Sequence, residues 1–176
     1  LFAINLREGD ELVSVRLTDG DQEVIIGTSL GMSIRFPELD VREMGRSATG
    51  VKGITLADND YVIDMDIVEP GKDVMIVTKK GYGKRTPIGE YRSQSRGGKG
   101  IKTLNITKKN GPVVGHTMVS EEEDLMIVTQ AGIVIRMNIS GISTLGRYAQ
   151  GVRLIKMAKD EEVATVARVQ ITDEEE

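Results

Sequence analysis

The sequence repeats itself about every 50 residues, and this period limits the possible folds more than any other feature. Each copy has a β-branched run, a short polar turn that ends in glycine, and a second run. Three landmarks recur, a threonine, a glycine and an arginine: Thr28, Gly31 and Arg35; Thr78, Gly81 and Arg85; Thr129, Gly132 and Arg136. Glycine at the end of such a turn supplies the left-handed residue of a short hairpin loop. Each copy therefore predicts a β-hairpin.

Further strand signals flank each hairpin. Alternating segments precede the hairpins at Leu12–Leu17, Val62–Ile67 and, more weakly, His116–Val119, and Val163–Val169 adds one more. Other short runs predict strands at Ala3–Leu6, Ile54–Leu56, Ile101–Leu104 and Arg153–Met157. No amphipathic helix pattern is apparent. Units of four short strands at this period predict an all-β, propeller-like fold, with about three and a half blades of a larger ring.

The period also divides the chain into segments. We expect 1–9 to hold the last strand of a preceding blade, 10–59 one blade, 60–110 a second and 111–170 a third with a closing strand. The tail 171–176 ends in four acids and is expected to be disordered. Because the chain begins with Leu1 inside a strand-like run, we interpret it as a fragment of a longer polypeptide.

A glycine-rich loop with a central base also recurs. Gly50–Ile54 aligns with Gly97–Ile101 and, more loosely, with Gly151–Ile155, which matches Lys52 with Lys99 and Arg153. Arginines precede each loop at 46, 92 and 147. In a ring of blades, equivalent positions lie along one rim, so these bases predict a positively charged stripe.

Charge is concentrated in one part of the chain. The net charge is −4, but without the four tail acids the chain has 23 acidic and 23 basic residues. Between Lys79 and Lys109 there are ten bases and one acid, Glu90. Such a block favours a polyanionic partner over a merely solvated face. With two Phe, four Tyr and no Trp, a duplex held through phosphates is favoured over stacked single strands.

Catalytic and metal-binding classes find little support. The chain has no cysteine, which excludes disulfides and thiolate metal sites and fits a reducing cytoplasm, and it has no membrane-length apolar run. The single histidine, His116, lies in a predicted strand without a partner motif, and we expect it to be structural. The acidic clusters at 58–60 and 121–124 lack EF-hand spacing and are interpreted as solvated turns.

The segment Gln94-Ser95-Arg96-Gly97-Gly98-Lys99-Gly100 combines flexible backbone with two cations, and we expect it to turn backbone N–H groups outward. It resembles the gyrase A-box, Gln-[Arg/Lys]-Arg-Gly-Gly-[Arg/Lys]-Gly, at six of seven positions, with Ser95 in place of a base. Residues 25–36, 45–54 and 81–87 extend the likeness. The chain is thus similar to the C-terminal domains of the bacterial DNA gyrase A protein.

The resemblance implies a β-pinwheel, usually of six blades, whose strands are exchanged between neighbours. It implies a non-catalytic domain that wraps double-stranded DNA in support of ATP-dependent negative supercoiling. The partners would be DNA, the rest of the gyrase A protein and the gyrase B protein, in the bacterial cytoplasm and with no membrane. ATP and Mg belong to other domains, so no cofactor is expected here, and the isolated fragment is expected to be monomeric.

Phosphate contacts are predicted first for the loop, and then for bases around it and in the other repeats. The loop residues are Gln94, Arg96, Gly97, Gly98, Lys99 and Gly100; the others are Lys84, Arg85, Arg92, Lys102, Arg46, Lys52, Arg147 and Arg153. Two alternatives remain: the equivalent domain of topoisomerase IV, and a protein-interaction propeller with a basic rim. The acidic tail Asp173–Glu176 is expected to compete with DNA for that rim.

Overall fold

The computed structural model describes residues 3–170, which form three antiparallel β-sheets. The strands are β1 (Glu23–Thr28), β2 (Met32–Pro37), β3 (Val62–Ile67), β4 (Asp73–Thr78), β5 (Tyr82–Pro87), β6 (Ile101–Lys102), β7 (Val113–Val119), β8 (Asp124–Thr129), β9 (Val134–Asn138), β10 (Val152–Arg153) and β11 (Val163–Val169). Three single 3-10 turns follow β2, β5 and β9, and these residues contain no α-helix. The all-β prediction is confirmed. The acidic tail 171–176 lies outside the described residues.

The three predicted hairpins are present. β1 pairs with β2, β4 with β5 and β8 with β9, each in antiparallel register. The turn glycines have φ angles of +76°, +75° and +82° at residues 31, 81 and 132. They occupy the left-handed region expected of them, so the repeated threonine–glycine spacing reflects one turn used three times.

The first two sheets are each built from two successive repeats. The first sheet has the order β3-β1-β2-β6, the second β7-β4-β5-β10 and the third β11-β8-β9. In the first two, the central hairpin comes from one repeat and the flanking strands come from the next, and in the third β11 occupies the place of β3 and β7 beside its hairpin. This confirms the strand exchange expected of a β-pinwheel. The sequence ranges assigned to individual blades stay a prediction.

Some predicted strands are absent. Ala3–Leu6, Leu12–Leu17 and Ile54–Leu56 form no strand, although their sequences alternate as strands do. β3 and β7, the equivalents of Leu12–Leu17, each pair with the hairpin of the preceding repeat. Among the described residues no hairpin precedes Leu12–Leu17, so this segment has no edge on which to form a ladder. Ala3–Leu6 and Ile54–Leu56 are equivalent to residues 103–106, which form no strand either. β6 and β10 are confirmed but shortened to two residues each.

The hydrophobic cores lie between successive sheets. Along β4, Val74 and Ile76 join a cluster with Ile25 of the first sheet, while Met75 and Val77 join a cluster with Ile127 of the third. All four β4 side chains are fully buried. Burying such a side chain contributes about 1.5–3 kcal/mol. The apolar run of β4 therefore reflects a strand covered on both faces.

The opening strands define the inner end of each sheet. β7 lies against both β3 and β11, whereas β6 and β10 form the opposite edges of their sheets. Asp66 of β3 accepts a hydrogen bond from the Met118 backbone amide of β7 at 2.9 Å. Burial alone raises the pKa of Asp66, but this bond and those from Arg16 and Thr117 outweigh it and lower the pKa. The outer strands β6 and β10 consequently mark the rim.

Candidate nucleic-acid interface

Three equivalent loops, 44–50, 94–100 and 145–151, lie at the rim. Each receives one backbone hydrogen bond at the same point: Asn5 N to Ala48 O at 3.3 Å, Thr55 N to Gly98 O at 2.8 Å, and Asn105 N to Ala149 O at 3.4 Å. The last glycine of each loop, at 50, 100 and 151, has a positive φ angle. The predicted loop Gln94–Gly100 is therefore one of three copies of the same structure.

The strand pairing corrects the sequence alignment of these loops. Lys102 pairs with Met32 and Arg153 pairs with Tyr82, one residue after the hairpin glycine in each case. Lys102, not Lys99, is thus the equivalent of Arg153 and, by the same spacing, of Lys52. The sequence alignment matched Gly50 with Gly97, whereas the structure matches Gly50 with Gly100, three residues later. Glycines at both places make either alignment possible from sequence, and only the pairing with the neighbouring hairpin distinguishes them.

The arginine set is corrected by the same shift. The Arg96 guanidinium donates to the backbone oxygens of Asp40 at 2.8 Å and Lys52 at 3.0 Å. The Arg147 guanidinium donates likewise to the backbone oxygen of Lys102 at 2.9 Å. Arg147 is therefore the counterpart of Arg96, and Arg92 is outside this set. These two half-buried arginines tie the second and third loops to the preceding repeat.

Three of the seven backbone amides of the middle loop donate to the neighbouring repeat. Gln94 N donates to Arg35 O at 2.8 Å and Gly97 N donates to Gly53 O at 2.6 Å. Arg96 N donates to the carboxylate of Asp40 at 3.2 Å. These three amides are not available to an anion, since the neighbouring repeat accepts their bonds. For the other four amides of the loop, the expectation that N–H groups turn outward stays a prediction.

Several predicted phosphate-contacting cations are exposed. They are Arg46, Lys52, Arg92, Lys99, Lys102 and Arg153. None of them forms an ion pair with another side chain in the described part of the chain. Lys52, Lys102 and Arg153 sit at one equivalent position, and Lys99 adds a charge to the middle loop. Their charges face solvent along the outer edge.

Lys84 and Arg85 are placed differently from the rest of the predicted set. Lys84 is fully buried, and its Nζ donates to Gly146 O at 2.6 Å and Arg147 O at 2.8 Å. Burial lowers the pKa of Lys84 to about 8; Glu90 opposes this shift and Arg147 adds to it. Arg85 is 5% exposed and pairs with Asp73 and Glu121. Both cations serve internal contacts in this structure and do not present charge at the rim.

The recurring hairpin arginines form a repeated ion pair. Each pairs with a carboxylate twelve residues earlier, on the adjacent strand: Arg35 with Glu23, Arg85 with Asp73 and Arg136 with Asp124. Arg35 also donates to backbone oxygens of the next repeat at Ile88 and Tyr91. The pattern that marks the repeat therefore stabilises the hairpins and their junctions.

His116 is structural, as expected. Its side chain is buried between the first two sheets, and Nε2 lies 2.8 Å from Ser33 Oγ. Burial lowers the pKa of His116 to about 4, against a smaller opposing effect of Asp66. A Cβ on Gly27 would overlap the imidazole ring, so the ring fills space that only glycine leaves.

The described residues show neither a metal centre nor a membrane-spanning helix. Residues 3–170 contain no group of three or more His, Asp or Glu side chains placed to hold a metal ion. None of their helical segments has the length and apolar character needed to cross a bilayer.

One part of the rim was missed by the sequence reasoning. Tyr82 lies next to two cations: Lys109 Nζ is 5.5 Å and Arg153 Cζ 5.6 Å from the ring centroid. Arg153 also donates to the Tyr82 hydroxyl at 3.0 Å. The available signal was an aromatic residue where the other repeats carry Met32 and Ile133.

Comparisons with known proteins point to one family. The profile described as "DNA gyrase C-terminal domain, beta-propeller" matches residues 1–19, 22–69, 72–115 and 123–170. The DNA gyrase A protein of Halalkalibacterium halodurans is 74% identical over 175 residues, covering 99% of this chain and 21% of that protein. The Staphylococcus aureus gyrase A protein is 54% identical over 177 residues, covering 99% and 20%. The chain spans about a fifth of the length of these curated relatives.

Solved structures of the same type superpose closely. The C-terminal domain of DNA topoisomerase IV gives a TM-score of 0.91 at 25% identity, covering 96% of this chain and 53% of that chain. A DNA gyrase A C-terminal domain gives 0.88 at 26% identity, covering 96% and 57%. These likenesses agree with the propeller-like architecture and with strand exchange between repeats.

Proposed function

The chain belongs to the family of DNA gyrase C-terminal domains, and from this membership we propose that its rim binds duplex DNA through phosphates and bends it. The observation that carries the proposal is the exposed basic set Lys52, Lys102 and Arg153, at one equivalent position on successive repeats. Lys99 adds to this set in the middle loop. A curved line of cations is complementary to a duplex that follows the ring.

The binding would be independent of base sequence. Long, exposed lysine and arginine side chains suit phosphate oxygens, and phosphate contacts position a duplex without reading bases. The interface so defined has few aromatic side chains to stack unpaired bases, which favours double-stranded over single-stranded DNA.

In the longer enzyme, the domain would hold DNA wrapped beside the site of strand passage. ATP-dependent negative supercoiling would then depend on this wrap, with cleavage and ATP hydrolysis carried out by other parts of the gyrase A protein and by the gyrase B protein. The chain itself would supply no catalytic group and no cofactor. Such a role belongs in the bacterial cytoplasm, on the nucleoid.

A titration of the 176-residue chain with short linear duplexes of unrelated sequence tests DNA binding. We expect similar affinities for all sequences and a steep loss of affinity with rising salt. Absence of binding at low salt would contradict the proposal, and saturable binding to an acidic protein instead would favour a protein-interaction rim. Wrapping is tested separately: nicked circles ligated with the chain bound should show a linking-number change if the bent DNA follows the ring with a fixed handedness.

The topoisomerase IV domain is a second candidate, because that solved structure gives the TM-score of 0.91. The heptad at residues 94–100 favours gyrase, since it matches the gyrase A-box at six of seven positions. Fusing the chain to a gyrase A protein that lacks its own C-terminal domain would separate the two. Negative supercoiling supports the gyrase role, and relaxation or decatenation alone supports the second candidate.

A further inference from the structure

A basic cleft lies where the second hairpin meets the third repeat. It has a volume of about 530 Å³ and is lined by residues 80, 82, 109, 153 and 155–158, with 160–162 on the other wall. Four of the lining residues are Lys80, Lys109, Arg153 and Lys156, here termed the cleft cations. None of the four takes part in an ion pair among residues 3–170.

Tyr82 fixes two of the cleft cations. Its side chain is 7% exposed and therefore held by packing, while Lys109 and Arg153 both lie within 6 Å of its ring. Cations at this distance from an aromatic face are attracted to it. The bond from Arg153 to the hydroxyl sets the direction of the guanidinium as well. Two mutually repelling charges are thus held together on one rigid support.

The acidic wall of the cleft, Asp160, Glu161 and Glu162, forms no ion pair with the cleft cations among the described residues. Glu162 pairs with Lys79 at 2.9 Å, and Glu161 accepts hydrogen bonds from Thr129 and from the amide of Ala158. These two carboxylates are committed to contacts on their own side of the cleft, and Asp160 is the third carboxylate of that wall. The four cleft cations outnumber the three carboxylates, and one of them, Lys80, also donates from Nζ to the Lys108 backbone oxygen at 2.5 Å.

The first repeat lacks this arrangement. Leu30 and Met32 occupy the places of Lys80 and Tyr82, and Asn105 that of Lys156. The nearby depression there has an apolar half, Leu30, Met32, Leu56 and Ala57, and a single cation, Lys99, beside Asp58 and Asp60. The charge cluster is therefore a local feature of the second and third repeats and does not follow from the fold.

We propose that this cleft is a phosphate-binding subsite, organised by Tyr82, that grips the sugar-phosphate backbone of duplex DNA between the second and third sheets. This inference rests on the proposed DNA-binding function and extends it from the outer strands to the hairpin tip. Since Arg153 lies on outer strand β10, the subsite is continuous with the rim.

The test uses Lys109→Ala and Lys156→Ala in the full chain, with Lys159→Ala as the matched control. Lys159 is an exposed cation close to the cleft but lines a different depression. Duplex affinity is measured across a salt series. Each cleft substitution should lower the slope of log affinity against log salt by about 0.9, and lower affinity near 0.1 M salt by about eightfold. The control should leave the slope unchanged.

Equal slopes for the wild type, Lys109→Ala and Lys156→Ala would overturn the inference while leaving DNA binding by the rim intact. A wild type that binds no duplex would overturn the proposed function instead. Titration with inorganic phosphate, followed by the NMR shifts of the Tyr82 and Met157 amides, tests the subsite without DNA. Saturable shifts that Lys109→Ala abolishes support it, and absent shifts count against it.

Discussion

The guanidinium of Arg96 donates a hydrogen bond to the backbone oxygen of Lys52, 3.0 Å away and 44 residues earlier in the chain. It joins the box-like loop of one repeat to the outer segment of the preceding one. A second bond, to Asp40 O at 2.8 Å, strengthens the connection. The loop's arginine therefore acts on the shape of the rim, whereas Lys99 carries the exposed charge.

Arg96→Ala and Lys99→Ala should consequently differ. Loss of the two guanidinium hydrogen bonds should lower the free energy of unfolding by about 1–2 kcal/mol, whereas Lys99→Ala should leave it nearly unchanged. Lys99→Ala should lower the salt slope of duplex binding by about 0.9. Chemical denaturation and a salt-dependent titration check the pair. Equal stability of the two variants would argue against a tying role for Arg96.

The lowered pKa of Lys84 predicts that the stability of the fold depends on pH in the alkaline range. Its pKa is lowered from 10.5 to about 8 by burial. Between these values the unfolded chain keeps the proton that the folded chain has lost, so stability rises as pH increases from about 8 to 10.5. Lys84→Met should abolish this component. Denaturation of both proteins over this range checks it, and stability curves that run parallel would show that Lys84 does not titrate as described.

The lowered pKa of His116 predicts that stability also depends on pH in the acidic range. Its pKa is lowered from 6.5 to about 4, so on acidification the unfolded chain takes up a proton before the folded chain does. Stability should therefore fall as pH decreases from about 6.5 to 4. His116→Gln removes the only histidine, and the difference in unfolding free energy between wild type and variant should shrink over this interval. A constant difference would contradict the assignment.

Alanine substitutions at Gly100 and Gly50 distinguish the cost of a steric overlap from the cost of backbone strain. Both have positive φ angles, +71° and +85°, but a Cβ on Gly100 would overlap the backbone oxygen of Ser33, whereas Gly50 has open space around it. Alanine at Gly50 should cost about 1–2 kcal/mol from strain alone. At Gly100 it should cost about 1–3 kcal/mol more because the backbone must move. Similar unfolding energies for the two variants would mean that the loop shifts without resistance.

The sequence was sufficient for the hairpins, because the Thr28–Gly31 spacing and its copies depend on local turn chemistry. It was also sufficient for the family, through residues 94–100. It was insufficient for pairing between repeats. Leu12–Leu17 has the alternation of a strand, but a strand also needs a neighbouring edge, and no local pattern shows whether one is present.

The basic residues of the rim were predicted only in part, because their exposure also depends on how neighbouring repeats pack. Lys84 and Lys99 both read as basic residues near a glycine-rich loop, yet one is buried under the next repeat and the other is exposed. Which side of β5 faces a neighbour depends on the exchange of strands. The spacing of Gly50, Gly100 and Gly151 by 50 and 51 residues did contain the correct loop register, since it matches the spacing of the hairpin glycines.

The most direct test of DNA binding by the rim compares the wild type with a Lys52→Ala/Lys99→Ala/Lys102→Ala variant. Duplex affinity is measured for both over a range of salt concentrations. All three side chains are exposed, so the variant should keep its stability. The slope of log affinity against log salt should fall by roughly 2.7, since each phosphate contact contributes about 0.9. An unchanged slope in a folded variant would show that DNA, if bound, does not follow this rim.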